Sequence, residues 1–333
     1  MLSDCMNKNI LILIFLYLVI IIIILKPSIE KNNNVDYYKP KINLIEKNEN
    51  IDYYLPKKTW TYWDDIDSIP LYILDTISER NKNLNGYEHI LLTKSNIYDY
   101  IDIKEFPMNY NKLSIPAKTD WIRLYLLYTY GGIWIDASII ITKLHDIDEI
   151  YNNCYKNKYE LMAFYLEQRT INNDIYSYIE SWFLIAPINS NVIKKWKKEF
   201  EHAVDIGFDE YFDEIKNNVN ITNLGNTSYL TIHATIKKLI TYDEIDKNKI
   251  YLKKAEDDMF NLHTKCKWKR RCIADALNKN EHLKLKYIKL RGDDRESGNI
   301  KAILIDIHQY LEEYELYRNI ENYTINTIYP YLK

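Results

Sequence analysis

One stretch, residues 119–138, constrains the fold more than any other part of the chain: TDWIRLYLLYTYGGIWIDAS. Apolar and aromatic residues fill its first half and Thr119 is a candidate N-cap, so the pattern predicts a buried helix. Gly131 and Gly132 predict the end of that helix, because glycine takes left-handed conformations at little cost. The bulky apolar run 133–135 that follows is typical of a strand buried on both faces.

The charged residues of this stretch are few and regularly placed. Asp120 and Arg123 are three residues apart, which puts them on one face of the predicted helix. Because an unpaired buried charge costs roughly several kcal/mol, each must be neutralised by a partner or a ligand. Asp136 comes directly after the predicted strand, where open α/β sheets bind ligands in a crevice. These three side chains are therefore the first candidates for a functional site.

The same residues carry a resemblance to a known family. The spaced set Asp-Trp-x-Arg, Tyr-Gly-Gly-Ile-Trp-Ile-Asp-Ala-Ser, residues 120–138, resembles the signature of the capsular polysaccharide synthesis proteins. These are relatives of the glycosyltransferases that carry a DXD sugar-binding motif, including glycosyltransferase family 32. The resemblance implies an α/β domain of the GT-A (Rossmann-like) fold that binds a nucleotide-sugar. A core helix, a turn and a strand with an incidental aspartate are the alternative reading.

The activity that the resemblance implies is transfer of a sugar from a nucleotide-sugar donor to a glycan, lipid or protein acceptor, with retention of configuration, in polysaccharide or glycoconjugate synthesis. Such a reaction builds positive charge at the anomeric carbon and negative charge on the leaving diphosphate. Asp120 and Arg123 are expected to hold ribose or sugar hydroxyls, and Asp136 the junction of ribose, sugar and diphosphate. Lys289 or Arg291 is expected to neutralise the departing diphosphate, unless both lie in an exposed charged turn.

A divalent cofactor is left open by the sequence. A true DXD motif uses its second acid to hold Mg²⁺ or Mn²⁺ at the donor diphosphate, and here that position is Ser138. A neutral hydroxyl is a poor ligand for either cation compared with a carboxylate. If a cation binds, Asp136 is the first predicted ligand, and Asp293 or Asp294 is the next.

Three more residues are predicted to bind the donor. By the resemblance, Trp63 ends the first strand of the domain and stacks on the nucleotide base; core packing is the alternative. Glu180 precedes an apolar strand and is expected to contact sugar hydroxyls, or else to cap a turn. His233 lies in a predicted helix where the family places a histidine, and a buried structural histidine is the competing interpretation.

The N-terminus is predicted to be a membrane anchor. After a short tail, 1–9, residues 10–25 are apolar and uncharged. As a helix this run would be about 24 Å long, against a hydrocarbon core of about 30 Å. A cleaved signal peptide is the alternative, but no small-x-small cleavage site follows. We expect a stem at 26–54 and a catalytic domain at 55–333, arranged as a type II protein: lumenal in the ER or Golgi if eukaryotic, facing the cytoplasm if bacterial.

Composition excludes some partners and leaves other questions open. A net charge of −3 over 333 residues provides no basic surface for a phosphate backbone, so nucleic acid is not an expected partner. Cys266 and Cys272 lie near His263, but this spacing lacks a fourth zinc ligand. A loop disulfide and two free thiols both remain open.

Two other functional classes compete with an enzyme. A relative that kept the fold and lost turnover would bind a sugar-nucleotide or a glycan without transferring it, and Ser138 permits this reading. A structural membrane protein with a tyrosine-rich surface is the other class, since the chain contains 31 tyrosines.

Overall fold

The computed structural model describes residues 53–225 and 227–296, and within them eight strands and nine α-helices. The strands are β1 Lys58–Tyr62, β2 Glu88–Leu92, β3 Gly132–Ile135, β4 Ile139–Ile141, β5 Leu161–Tyr165, β6 Phe183–Ala186, β7 Ile250–Lys254 and β8 Tyr287–Lys289. The helices are α1 Leu71–Asn83, α2 Ile115–Tyr130, α3 Ile147–Asn157, α4 Asn191–Ile206, α5 Phe208–Ile215, α6 Thr227–Thr241, α7 Asn261–Lys265, α8 Arg270–Asn278 and α9 Gly292–Glu296.

Six strands form the main sheet, in the order β2-β1-β3-β6-β5-β7. β1 runs parallel to β2 and β3, and β5 runs parallel to β7. β1, α1 and β2 form a βαβ unit, and the α/β class that the resemblance implies is confirmed. β6 is antiparallel to both of its neighbours, so the sheet is mixed.

Both faces of the main sheet are covered by apolar side chains. Alternate residues of β3 enter different hydrophobic clusters: Ile133 and Ile135 pack in one, and Trp134 in the other. Helices α2, α4 and α6 contribute to the cluster around Trp134, while α3 and α5 contribute to the cluster on the other side. A strand buried on both faces reads as a continuous apolar run, as residues 133–135 do.

Helix α2 begins earlier than the sequence pattern predicts. The N-cap is Ser114 rather than Thr119, and its hydroxyl accepts a hydrogen bond from the backbone N–H of Ala117. Pro116 in the first turn fits this start, since proline needs no hydrogen-bond acceptor there. Thr119 instead lies inside the helix and donates to the carbonyl of Ile115 at 2.8 Å.

The turn between α2 and β3 depends on its two glycines. Gly131 has φ of 62° and Gly132 has φ of 101°, both in the region that favours glycine. A Cβ added at Gly132 would lie 2.5 Å from the carbonyl oxygen of Lys58 in β1, and one at Gly131 would lie 2.7 Å from the backbone nitrogen of Ile188. The turn therefore lets β3 pack closely beside β1.

A second, two-stranded sheet connects the middle of the chain with its end. β4 and β8 are antiparallel, and Ile139 pairs with Lys289. Next to this pair, the backbone N–H of Leu290 donates to the carbonyl of Ser138 at 3.2 Å. Between β7 and β8 a disulfide joins Cys266 to Cys272, which settles the alternative that the sequence left open.

Several predictions fall outside the described residues. The tail at 1–9, the apolar run at 10–25 and nearly all of the stem at 26–54 belong to this group. Within the part of the chain that the structure describes, no helix has both the length and the apolar character needed to cross a bilayer.

Candidate active site

The backbone of Asp136 is fixed where β3 ends. Its N–H donates to the carbonyl of Trp182 at 2.9 Å, and its carbonyl accepts from Nη1 of Arg80 at 3.2 Å. Arg80 comes from α1, is 1% exposed, and also donates to the hydroxyl of Thr61 at 2.6 Å. These contacts hold the aspartate in place without using its carboxylate, which remains available for the site.

The carboxylate of Asp136 is surrounded by donors. Oδ1 accepts from Nε1 of Trp134 at 2.9 Å and from Nη2 of Arg123 at 3.4 Å, and Oδ2 accepts from Nζ of Lys289 at 2.9 Å. Burial alone would raise the pKa of Asp136, but the positive charges of Lys289 and Arg123 outweigh burial and lower it. The side chain is 24% exposed, so one side of the ionised carboxylate remains accessible.

Arg123 links Asp136 to Asp120, the residue predicted to share its helix face. Its Nη1 lies 3.1 Å from Oδ1 of Asp120, and it also donates to the hydroxyl of Ser181. The guanidinium lies over the ring of Trp134, 5.2 Å from the centroid. Burial raises the pKa of Asp120 to about 7, although the charge of Arg123 opposes this shift.

Ser138 and Lys289 meet beside the Asp136 carboxylate. Nζ of Lys289 lies 2.8 Å from the hydroxyl of Ser138 and 2.9 Å from Oδ2 of Asp136. The ammonium therefore bridges the first and last positions of the Asp-Ala-Ser motif. These are the two positions at which a DXD motif would hold a divalent cation, so the residues present do not fit one.

The other predicted metal ligands have different partners. Asp294 is fully buried; its carboxylate accepts from both Arg291 and His263, and these hydrogen bonds hold the pKa of Asp294 well below its usual range despite burial. It is therefore not available as the second ligand that the sequence suggested, because both of its oxygens are engaged. The side chain of Asp293 lies outside the described residues. Across 53–225 and 227–296, no three His, Cys, Asp or Glu side chains group as a cation site.

Glu180 and His233 lie together on a neighbouring part of the site. Glu180 is 8% exposed, and its Oε2 is 3.9 Å from Nε2 of His233. Burial raises the pKa of Glu180 to about 7, while the charge of Lys289 opposes the shift. His233 donates from Nδ1 to the carbonyl of Ile179 at 2.7 Å, and burial lowers its pKa to about 4. His233 is therefore neutral at pH 7, with Nε2 as an acceptor.

Two predicted residues occupy other surroundings. Trp63 follows β1 and packs, half-buried, in the same small cluster as Ala137, the residue after Asp136. Arg291 forms a two-pronged pair with Asp294, at 3.1 Å for each contact, and lies over the ring of Trp268. The guanidinium of Arg291 is thus engaged by Asp294, whereas Lys289 contacts Asp136 directly.

Sequence reasoning missed two residues near the site. Ser181 follows Glu180 and binds Arg123, and its only signal was its place in the same block. Arg80 supports the backbone of Asp136 from an amphipathic helix, where nothing in the pattern marks it.

Sequence comparison assigns the chain to a family. The family of capsular polysaccharide synthesis proteins matches residues 21–300, and the chain belongs to it. This confirms the resemblance that residues 120–138 carry. O-glycosyltransferase braB of Annulohypoxylon truncatum is 26% identical over 164 residues, which are 45% of this chain and 38% of that protein. The chain thus spans less than half the length of this relative.

Solved glycosyltransferase structures show weak overall likeness. Galactosyltransferase LgtC, solved with donor and acceptor sugar analogs, gives a TM-score of 0.40 at 10% identity, covering 75% of this chain and 95% of that one. PaToxG glycosyltransferase gives a TM-score of 0.39 at 13% identity, covering 77% and 87%. A glycosyltransferase involved in glycosylation of the major capsid of PBCV-1 gives 0.34 at 9% identity, covering 71% and 94%.

Proposed function

We propose that this chain is a glycosyltransferase that moves a sugar from a nucleotide-sugar donor to a glycan, glycolipid or glycoprotein acceptor. One observation carries the proposal: Asp136 lies where β3 ends, ionised, partly accessible, and held between Arg123 and Lys289. Membership of the capsular polysaccharide synthesis family supports it. The parallel pairing of β1 with β2 and β3 supports a GT-A assignment for the domain.

The reaction assigns a task to each group. The bond between the anomeric carbon and the diphosphate oxygen breaks and its electron pair stays on that oxygen, while an acceptor hydroxyl bonds to the carbon and loses its proton. Lys289 is placed to stabilise the negative charge of the leaving diphosphate. Asp136, Asp120 and Arg123 hold donor hydroxyls. Glu180, with its pKa of about 7, is placed to exchange a proton near neutral pH.

Stereochemistry and location complete the proposal. Retention of configuration is proposed from the family resemblance, and the anomeric proton signals of the product measure it. We further propose a single-pass type II protein anchored by residues 10–25, from the apolar run alone. Addition of engineered glycosylation acceptors on either side of the run would report which side is lumenal.

The test is a donor panel on the full-length chain. UDP-glucose, UDP-galactose, UDP-N-acetylglucosamine and GDP-mannose are each assayed for donor hydrolysis and transfer. At least one is expected to be consumed, and Asp136→Asn is expected to lower that rate by at least about a hundredfold, since a charge aimed at the reacting groups is lost. Asp213→Asn removes an exposed carboxylate bound to Lys216 and is the matched control.

The outcomes separate the competing functions. A fully active Asp136→Asn enzyme would refute the site. Donor binding by calorimetry without hydrolysis or transfer would favour the inactive binding relative. Failure to bind any of the four donors would favour a structural protein.

A further inference from the structure

The Asp-Ala-Ser motif already has a cation in its centre. Nζ of Lys289 is 2.9 Å from Oδ2 of Asp136 and 2.8 Å from Oγ of Ser138. Both distances are those of ordinary hydrogen bonds donated by an ammonium group. The lysine side chain is 11% exposed, so the bridge is largely shielded from water.

The position of this ammonium is fixed by the backbone. Lys289 is the last residue of β8 and pairs with Ile139, the residue after Ser138. Its own N–H donates to the carbonyl of Met259 at 2.9 Å. Pairing of β4 with β8 therefore delivers the charge to the motif without a flexible loop, which is the preorganisation that electrostatic catalysis requires.

A divalent ion would meet unfavourable conditions at the same point. Ser138 offers a neutral oxygen, and Mg²⁺ and Mn²⁺ prefer carboxylates. Oδ2 of Asp136 is occupied by Lys289, whose positive charge would repel the ion at short range. Asp294, one of the two residues predicted as a second ligand, is fully buried and engaged with His263 and Arg291.

The ammonium has capacity for a ligand. Lysine has three N–H donors, and its two contacts within the described residues use two of them. A third donor remains for a phosphate oxygen. The accessible side of Asp136 gives such an oxygen an approach.

We propose that the Lys289 ammonium takes the place of the divalent cation at the donor diphosphate, so that this chain binds its donor without a metal ion. The inference rests on the proposed function and specifies how its donor site works. Ser138 is then the hydroxyl that orients the ammonium, instead of a degenerate metal ligand.

Calorimetry with UDP and GDP on the full-length chain tests this proposal. The preferred nucleotide is expected to bind with the same Kd, within about threefold, in EDTA and in Mn²⁺. Lys289→Met is expected to weaken binding roughly thirtyfold in EDTA, the loss of one charge-assisted hydrogen bond to a phosphate. Lys286→Ala is the matched control, because this lysine precedes the same strand but binds Asp146, at 2.6 Å. Its Kd is expected to equal that of the wild type.

A conversion variant provides a second readout. Lys289→Ala combined with Ser138→Asp creates Asp-Ala-Asp without the bridging ammonium. This variant is expected to bind Mn²⁺, which electron paramagnetic resonance measures. It should also bind the nucleotide at least tenfold more strongly in Mn²⁺ than in EDTA. The wild type should show no Mn²⁺ bound at the same concentration.

Failures of the two proposals are distinguishable. Nucleotide binding by the wild type that requires Mn²⁺ would overturn the inference and leave the glycosyltransferase proposal standing. Wild-type strength of binding in folded Lys289→Met would also overturn it. No binding of UDP or GDP in either condition would overturn both. The EDTA measurement on the wild type does not depend on any variant folding.

Discussion

At the scale of single residues, three carboxylates of the site differ in protonation because their neighbours differ. Asp136 has Lys289 and Arg123 beside it, and its pKa is lowered in spite of burial. Burial raises the pKa of Asp120 to about 7, and among the described residues Arg123 is the cation that opposes this shift. Glu180 reaches a similar value with a neutral histidine 3.9 Å away. Two carboxyl groups that titrate near neutral pH, Asp120 and Glu180, thus lie beside the ionised carboxylate of Asp136.

Replacement of Glu180 should reveal its burial as a pH-dependent stability. Its pKa is about 7 in the folded chain against an ordinary 4.5, so the unfolded chain loses this proton first. The free energy of unfolding therefore falls as pH rises from 4.5 through about 7. Glu180→Gln has no such loss, because glutamine does not ionise. The free energy of unfolding of this variant minus that of the wild type should therefore be about 2 kcal/mol larger at pH 8 than at pH 5. Urea unfolding at both pH values measures this difference.

Glu214→Gln is the control for that experiment. Its carboxylate pairs with His202 and Lys238, and the hydrogen bond from His202 lowers its pKa. A carboxylate with a lowered pKa stabilises the folded chain at pH values above its ordinary pKa. Glu214→Gln should therefore show no gain in the free energy of unfolding over the wild type at pH 8. A pH-independent effect of Glu180→Gln would contradict the burial argument.

At the scale of elements, the α2–β3 turn sets the distance between β1 and β3. The backbone conformation and the close approach of β1 both require glycine at position 132. Asp136 follows β3, so an error in this turn would displace the carboxylate as well as the strand.

Gly132→Ala should destabilise the protein by about 3 kcal/mol, because it adds a backbone clash to an unfavourable φ. Gly86→Ala is the matched control: φ is 93°, but nothing lies within 4 Å of the added Cβ. It should cost only about 1 kcal/mol, the conformational term alone. Urea midpoints of the two variants measure the difference. Equal losses would show that the contact with β1 relaxes freely.

At the scale of the whole described fold, the two large clusters share their strands. β3 sends Ile133 and Ile135 to one side and Trp134 to the other, and β5 divides its residues in the same way. Because both clusters contain residues of β3 and β5, unfolding of these strands would expose the apolar side chains of both clusters. The site is built across this shared sheet and the small β4–β8 sheet.

Unfolding of the residues that form the main sheet should therefore be a single transition. Tryptophan fluorescence and far-UV circular dichroism are expected to give the same urea midpoint, since both report on the same cooperative unit. Trp196→Phe, on the α4 side, should shift both midpoints together. Two separate midpoints would mean that the clusters fold independently.

Much of the local structure was predictable from the sequence. The apolar periodicity predicted helix α2, the paired glycines predicted its end, and the apolar run predicted β3. The spacing of three residues predicted that Asp120 and Arg123 share a helix face, and they are 3.1 Å apart. The predicted start of α2 at Thr119 was wrong, because Ser114 and Pro116 form a better helix N-terminus.

The sequence by itself determined the parts of the site that lie within one helix, one turn and one strand, because periodicity and turn chemistry act over a few residues. Only the tertiary structure decided which distant cation reaches Asp136. Lys289 and Arg291 looked equivalent along the chain, yet pairing of β4 with β8 brings Lys289 to Asp136, and Asp294 binds Arg291. That choice depends on contacts across 153 residues, which no local pattern encodes.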